Sequence, residues 1–239
     1  MNGAEALVAT AIKNGIEICF ANPGTTEMPL VLAFDAVPGV RGILCLHENV
    51  ATGAADGYGR MAGKPAMCLL HLGPGLANGL TNLHDARRAS TPILNVIGEH
   101  ATWHAPADPL LASDIEAVAR FVSGFVRRNG GADGMAADVA QTIEATRAHG
   151  GQIASLIVPH DFQIAETAGE IPARRVAPNA TFSEQKVMHA ARALKRGRSA
   201  LLLGGAGLSE AGIQLAGRIA AASTSRGVIS GARTQLLIL

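Results

Sequence analysis

The sequence is poor in aromatic side chains and in net charge. Phe, Trp and Tyr make up 3% of the 239 residues, and the formal net charge at pH 7 is +1. A protein that binds nucleic acid or an anionic membrane needs a basic surface, and single-stranded nucleic acid also needs aromatic stacking platforms. We therefore expect neither a nucleic-acid partner nor a membrane partner.

Cysteine is also scarce, and its placement argues against a disulfide framework or a zinc site. Cys19, Cys45 and Cys68 each lie in an apolar run, their number is odd, and they form no C-x-x-C pair. Buried thiols of this kind are typical of a reducing compartment. The N-terminus has no signal-peptide layout, and no apolar run is long enough to cross a membrane. The sequence predicts a cytoplasmic protein.

The sequence is rich in short apolar runs that alternate with segments of helical periodicity. This alternation predicts an α/β fold, a parallel sheet with helices on both faces. Residues 1–165 are predicted to form one such domain, and residues 166–182, rich in Pro, Ala and charge, are predicted to be a linker. Residues 183–239 would begin a second, incomplete Rossmann-like domain.

Polar groups cluster where the predicted strands end, which is where ligands bind in open parallel sheets. The strand ends carry "NPGTT" (22–26), "HEN" (47–49), "HLGPG" (71–75) and "GEH" (98–100). Glu48, at the end of a predicted buried strand, is a candidate proton-exchanging carboxyl or a plain helix N-terminal carboxylate. His71 is a candidate proton carrier or a packed core histidine, and the glycines after it suggest a tight turn. Thr25 or Thr26 is a candidate helix N-cap.

Two further patterns are weaker. "GGAGLSEAG" (204–212) has the G-x-G of a dinucleotide loop, but Glu210 stands where the third glycine belongs, so the pattern favours a plain strand-to-helix turn over a nucleotide site. His100 and His104 are four residues apart, yet Pro106 and Pro109 argue against a helix there, and we predict no metal site.

The segments "FANPGTTEMPLVLAF" and "LHENVATGAADGYGRMAGKPAMCLLHLGPGLANGLTNLHDARRAS" resemble a known family. Over residues 1–165 the chain is similar to the N-terminal pyrimidine-binding domain of thiamine diphosphate-dependent enzymes, the group of acetolactate synthase and benzoylformate decarboxylase. The stretch from residue 183 resembles the start of that family's central domain.

The resemblance implies a role for each matching residue. Glu48 would be the carboxyl that hydrogen-bonds the aminopyrimidine ring of thiamine diphosphate and promotes its activating tautomer. His71 would be an active-site histidine, as in benzoylformate decarboxylase-like proteins, and "NPGTTE" would supply a hydroxyl from Thr25 or Thr26. The predicted cofactor-binding residues besides Glu48 are Pro23, Gly24, Thr25, Gly73, Pro74, Gly75 and Asn78.

The implied activity is acetolactate synthase-like carboligation of a 2-oxo acid such as pyruvate, with 2-oxo acid decarboxylation as the alternative. His71 favours a decarboxylase, whereas "GPGLAN" (73–78) is synthase-like. The family binds the diphosphate and Mg²⁺ in a third domain marked by G-D-G, which does not occur in this sequence. FAD, used by some synthases, has no supporting motif here.

We therefore expect a truncated chain without the diphosphate-binding domain, inactive alone, which self-associates or pairs with a full-length homologous chain. The rival interpretations are a non-catalytic module that docks on a full-length homologue, a nucleotide-binding protein using residues 204–212, and a defective gene product.

Overall fold

The computed structural model describes residues 1–169, 182–196, 200–203, 209–223 and 226–229. The chain divides into two compact units, Met1–Val176 and Ala177–Leu239. Most of the predicted linker, and the G-x-G pattern at Gly205 and Gly207, lie outside the described residues. Among the described helices, none combines the length and apolar character that a membrane span requires.

A six-stranded sheet forms the first unit. Its strands are β1 (Ile18–Asn22), β2 (Arg41–Leu44), β3 (Ala66–Leu70), β4 (Ile93–Glu99), β5 (Phe125–Arg128) and β6 (Ile153–Pro159). The spatial order is β2-β1-β3-β4-β6-β5, and every pairing is parallel. The predicted α/β fold with a parallel sheet is confirmed.

Helices cover both faces of this sheet. They are α1 (Gly3–Lys13), α2 (Met28–Ala36), α3 (Glu48–Ala62), α4 (Leu72–Arg88), α5 (Ile115–Val122), α6 (Met135–Thr146) and α7 (His160–Ile164). Strand β3 shows how the faces are built, because Met67 and Leu69 join the core under α1, α2 and α6, whereas Cys68 and Leu70 join the core under α3, α4 and α5. A fully buried strand needs apolar side chains on both faces, which explains its continuous apolar run.

The strand before Glu48 differs from the prediction. β2 ends at Leu44, it lies at the edge of the sheet, and most of its residues are exposed. Glu48 therefore does not end a buried strand; it is the first residue of α3, whose N-cap is His47. An apolar run does not distinguish an edge strand from a central one, because sheet order is a tertiary property.

The structure also differs from the sequence predictions at the GPG turn, at the threonine N-cap and at one strand that was not predicted. "GPG" (73–75) is not a tight turn but part of the first turn of α4. Neither Thr25 nor Thr26 caps a long helix, since residues Thr25–Glu27 form a 3₁₀ turn before α2. Strand β5 was not predicted, because "FVRR" is short and its last two residues are exposed and basic.

The second unit contains two helices and two paired strands among its described residues. They are α8 (Glu184–Leu194), β7 (Ala200–Leu203), α9 (Glu210–Ala222) and β8 (Arg226–Ile229). Strands β7 and β8 pair in parallel. Both helices begin with a serine that accepts a hydrogen bond from the first turn, Ser183 for α8 and Ser209 for α9. Strand β8 was not predicted from the sequence.

Candidate active site

The candidate site lies at the carboxyl edge of the sheet, beside strands β1 and β3. From β1 the chain crosses to β2 on one side and then to β3 on the other, so the strand order reverses here. Such a switch point opens a crevice at the carboxyl ends of the strands. Residues 23–27 follow β1, Glu48 follows β2 and His71 follows β3. The fold thus brings the three predicted segments to one edge.

Glu48 is largely shielded from solvent, and one of its two carboxyl oxygens accepts a hydrogen bond. Its side chain is 12% exposed. The Asn78 amide donates a hydrogen bond to Oε2 at 3.1 Å. A Cβ at Gly75 would lie 3.4 Å from Oε1, so a larger residue there would crowd the carboxyl. Oε1 accepts no hydrogen bond from any other described residue, which leaves it able to bind a ligand.

Close packing of α3 against α4 puts Gly75 and Asn78 beside Glu48. A Cβ at Gly79 would lie 2.8 Å from the Thr52 Cγ2 atom, and the Thr52 hydroxyl donates to the Gly79 carbonyl at 3.1 Å. The Asn82 amide donates to the Asn49 carbonyl at 2.6 Å. A Cβ at Gly53 would lie 2.6 Å from Nδ2 of Asn82, so this glycine of the run after Glu48 serves a contact within the chain.

His71 contacts a residue that the sequence analysis did not select. Its Nδ1 atom lies 2.7 Å from Oε2 of Glu27, whose side chain is fully buried. The backbone N–H of Gly24 donates to the same oxygen at 2.7 Å, and the Thr26 hydroxyl donates to Oε1. A buried carboxylate is tolerated when such donors satisfy it. Glu27 is part of the quoted "NPGTTE" motif, which was the available signal.

Two glycines leave the space that this cluster occupies. A Cβ at Gly98 would lie 1.5 Å from Oε1 of Glu27, and one at Gly24 would lie 2.3 Å from Nδ1 of His71. Real Cβ atoms do not approach other atoms this closely, so both positions require glycine while Glu27 and His71 keep these positions. Gly24 thus lies against His71, and its cofactor-binding role stays a prediction.

The remaining predicted residues are arranged differently. Thr25 and Pro74 are exposed, and Gly73 packs against a loop residue, since a Cβ there would lie 1.8 Å from Oγ of Ser113. Leu72, between His71 and the GPG segment, is buried with a φ of +52°. Such a backbone is strained for a residue other than glycine and is typical of functional turns.

A carboxyl further along the edge belongs to a separate network. Glu99, at the end of β4, accepts hydrogen bonds from Nη1 of Arg128 at 3.0 Å and from the backbone N–H of His100 at 2.9 Å. His160, at the end of β6, contacts the Thr26 carbonyl through Nδ1 at 3.0 Å. Within the described ranges, no three His, Cys, Asp or Glu side chains converge as a metal site.

Comparison with known proteins identifies a family for part of the chain. Residues 1–118 match the family described as "Thiamine pyrophosphate enzyme, N-terminal TPP binding domain". This stretch belongs to that family. The thiamine pyrophosphate-binding domain so defined contains Glu27, Glu48, His71 and Asn78, together with strands β1 to β4. The resemblance predicted from the motifs is confirmed.

The chain is similar to acetolactate synthase large subunits. It is 50% identical over 227 residues to the "Putative acetolactate synthase large subunit IlvX" of Mycobacterium tuberculosis, covering 95% of this chain and 44% of the relative. The large subunit of acetolactate synthase isozyme 2 from Escherichia coli is 39% identical over 101 residues, 41% of this chain and 18% of the relative. This chain therefore spans less than half the length of these relatives.

A solved structure shares the fold of the chain. The thiamine diphosphate-dependent 4-hydroxybenzoylformate decarboxylase of Rhodococcus jostii RHA1 superimposes with a TM-score of 0.84 at 20% identity, covering 96% of this chain and 44% of that one. At this identity the likeness concerns the fold.

The Glu48 environment fits an aminopyrimidine ring. Oε1 is free of hydrogen bonds among the described residues, and Gly75 adds no side chain beside it. A ring nitrogen can exchange a hydrogen bond with such a carboxyl oxygen.

Proposed function

We propose that the first unit supplies the aminopyrimidine half of a thiamine diphosphate site, with Glu48 as the carboxyl that contacts the ring. The supporting observation is the unequal environment of its two oxygens. Oε2 is fixed by Asn78, whereas Oε1 lies beside Gly75 without a described partner. One carboxyl orientation is thereby favoured, with the free oxygen available to the cofactor.

The chain's own residues would control a proton and its surroundings. When bound, thiamine diphosphate supplies a nucleophilic carbon and an electron sink, which no side chain provides. Glu48 exchanges a proton through Oε1, and Asn78 keeps the carboxyl from rotating. The low exposure of Glu48 limits competition from water for the same oxygen.

We propose a 2-oxo acid, such as pyruvate, as substrate and acetolactate synthase-like carboligation as the reaction. The likeness to the Mycobacterium tuberculosis relative over 95% of this chain supports this reaction. The alternative, 2-oxo acid decarboxylation, is favoured by the His71–Glu27 pair, because a histidine beside a carboxylate is suited to proton transfer. Product analysis separates the two, since pyruvate yields acetolactate in the first case and acetaldehyde in the second.

The ligands of the diphosphate and of Mg²⁺ are proposed to come from elsewhere than the first unit. The sequence contains no G-D-G, and the described residues form no metal-binding group. We propose that a full-length homologous chain provides them.

Complementation with an inactive partner tests the proposal. The full-length Mycobacterium tuberculosis relative, with its own pyrimidine-contacting glutamate changed to glutamine, is mixed with this chain, and acetolactate formation from pyruvate is followed. We expect activity with the unchanged chain and none with Glu48→Gln. Glu17→Gln, at an exposed carboxylate, is the matched control and should restore activity fully.

The same experiment distinguishes the proposed function from the rival interpretation of a non-catalytic docking module. Absence of activity at every mixing ratio, with both chains folded, would contradict the proposed function. If the chains nonetheless bind each other, the chain is a non-catalytic docking module.

A further inference from the structure

The residues around His71 define the environment of each nitrogen of its ring. Both hydrogen bonds of the ring in the described part of the chain involve Nδ1, with Oε2 of Glu27 at 2.7 Å and Oγ1 of Thr26 at 3.2 Å. Nε2 has no partner among the described residues, and the side chain is 22% exposed. One nitrogen is thus held by protein and the other is open to a ligand.

The surroundings of Glu27 determine which nitrogen carries the proton. The Gly24 N–H and the Thr26 hydroxyl both donate to the carboxyl, which fits an ionised group that only accepts. An ionised Oε2 at 2.7 Å from Nδ1 requires that Nδ1 be the donor. The neutral ring then has a bare Nε2 with a lone pair.

Close contacts also fix the position of the His71 ring. Gly98 leaves the space for the Glu27 carboxyl, and Gly24 lies against the imidazole. These contacts come from residues at the ends of β1, β3 and β4, so they depend on the central strands of the sheet. His71 and Glu48 also flank the same glycine, because a Cβ at Gly75 would lie 3.4 Å from both Cβ of His71 and Oε1 of Glu48.

We propose that Glu27 is a positioning residue that holds His71 as the Nδ1–H tautomer and leaves Nε2 as the proton acceptor of the site. The tautomer itself does not depend on the proposed function. Only the ligand of Nε2, a 2-oxo acid or the product formed from it, rests on that function. Glu27 itself is too buried to touch that group and acts through His71.

The tautomer is measured directly by nuclear magnetic resonance. The full chain is labelled with ¹⁵N-histidine, and two-bond ¹H–¹⁵N correlations are recorded at increasing pH until the His71 signals are those of a neutral ring. His71→Asn identifies the signals of this ring among the eight histidines. We expect a protonated Nδ1 and an unprotonated Nε2 in the unchanged chain.

Glu27→Leu tests the cause. It removes the carboxylate that accepts from Nδ1, so we expect the ratio of tautomers to move toward Nε2–H by about tenfold or more, as for loss of a hydrogen bond to a charged group. Asp138→Asn is the matched control, because Asp138 is also a buried carboxylate but binds Arg127 and Asn129. It should lower stability and leave the His71 signals unchanged.

Two results would overturn the proposal: an Nε2–H tautomer in the unchanged chain, or a folded Glu27→Leu variant with an unaltered tautomer ratio. The first result needs no variant, so the proposal stays testable even where Glu27→Leu does not fold. Neither measurement uses the cofactor, so failure of complementation by the unchanged chain is a separate result and concerns the proposed function alone.

Discussion

At the scale of single residues, Gly98 shows how strongly the site depends on the absence of a side chain. We expect Gly98→Ala to lower the free energy of unfolding by about 1–3 kcal/mol, because its Cβ would meet the buried Glu27 carboxyl at 1.5 Å. Urea denaturation measures the change, and the His71 signals should shift with it.

Gly42→Ala is the control for this substitution. Gly42 is also a strand glycine, but its Cβ would lie 3.7 Å from Phe34, an ordinary contact. We expect no loss of stability, since alanine is easier to order than glycine. Equal destabilisation by both substitutions would contradict the role assigned to Gly98.

The three buried thiols are residues whose protonation affects stability. Burial raises the pKa of Cys19, Cys45 and Cys68 above the ordinary thiol value. The folded chain therefore keeps these protons at a pH where the unfolded chain loses them, and stability is fully present below the unfolded pKa of about 8.5. We expect the free energy of unfolding to fall above that pH, by up to about 1.4 kcal/mol per pH unit for each thiol.

Denaturation curves between about pH 7 and pH 10 measure this slope. Cys68→Ala removes one of the two most deeply buried thiols and should make the slope shallower. A stability that does not change across this range would contradict the prediction.

The sequence predicted which residues belong to the motifs but not which of them contact each other. Glu48 and His71 stand in a specific pattern, and their location at the sheet edge follows from strand alternation. Glu27 was overlooked because its pairing with His71 joins residues that follow β1 and β3 and are 44 positions apart. Only the spatial order of the strands makes them neighbours.

At the scale of elements, α3 shows how backbone conformation decides the effect of replacing a glycine, because Gly57 lies inside the helix and Gly63 is its C-cap. A Cβ would meet no atom within 4 Å at either Gly57 or Gly63, but Gly63 follows the last residue of α3 with a φ of +65°. We expect Gly63→Ala to destabilise the chain by about 1 kcal/mol, because a left-handed backbone is unfavourable for alanine. Thermal denaturation measures the effect.

Gly57→Ala is the matched variant in the helix interior. Alanine should stabilise the chain by about 0.5–1 kcal/mol there, since the backbone is helical and no atom is displaced. Destabilisation by Gly57→Ala would show that the open space around Gly57 is occupied in solution.

The element boundaries that the sequence did not predict have tertiary causes. The GPG segment has the residues of a turn, yet α4 begins at Leu72, where the backbone has a φ of +52°, and includes this segment. Strand β2 has the apolar residues of a buried strand but lies at the edge. Local propensity does not reveal which neighbours an element will have.

At the scale of the whole molecule, exposed apolar side chains surround the start of α3. Leu46 is 93% exposed, and Leu44 and Val50 are also largely exposed. Apolar patches beside an open strand edge favour association. We expect the chain to self-associate, and Leu46→Glu to raise the dissociation constant by about tenfold or more.

Sedimentation velocity over a range of concentrations tests this expectation. Leu32→Glu is the control, because Leu32 is 68% exposed but lies on α2, on the other face of the sheet. Equal weakening by both substitutions would mean that the association does not use the start of α3.

The position of β2 at the edge has a consequence for the kinetics of the site. Edge strands open locally at a lower free energy than central strands, and Glu48 follows β2 after a short connection. Such an opening would withdraw Glu48 from Asn78 while the His71–Glu27 contact on the inner strands persists. The apparent affinity for any ligand held by Glu48 then scales with the fraction of time that this edge is closed. Amide hydrogen exchange in residues 41–50 would report that fraction directly.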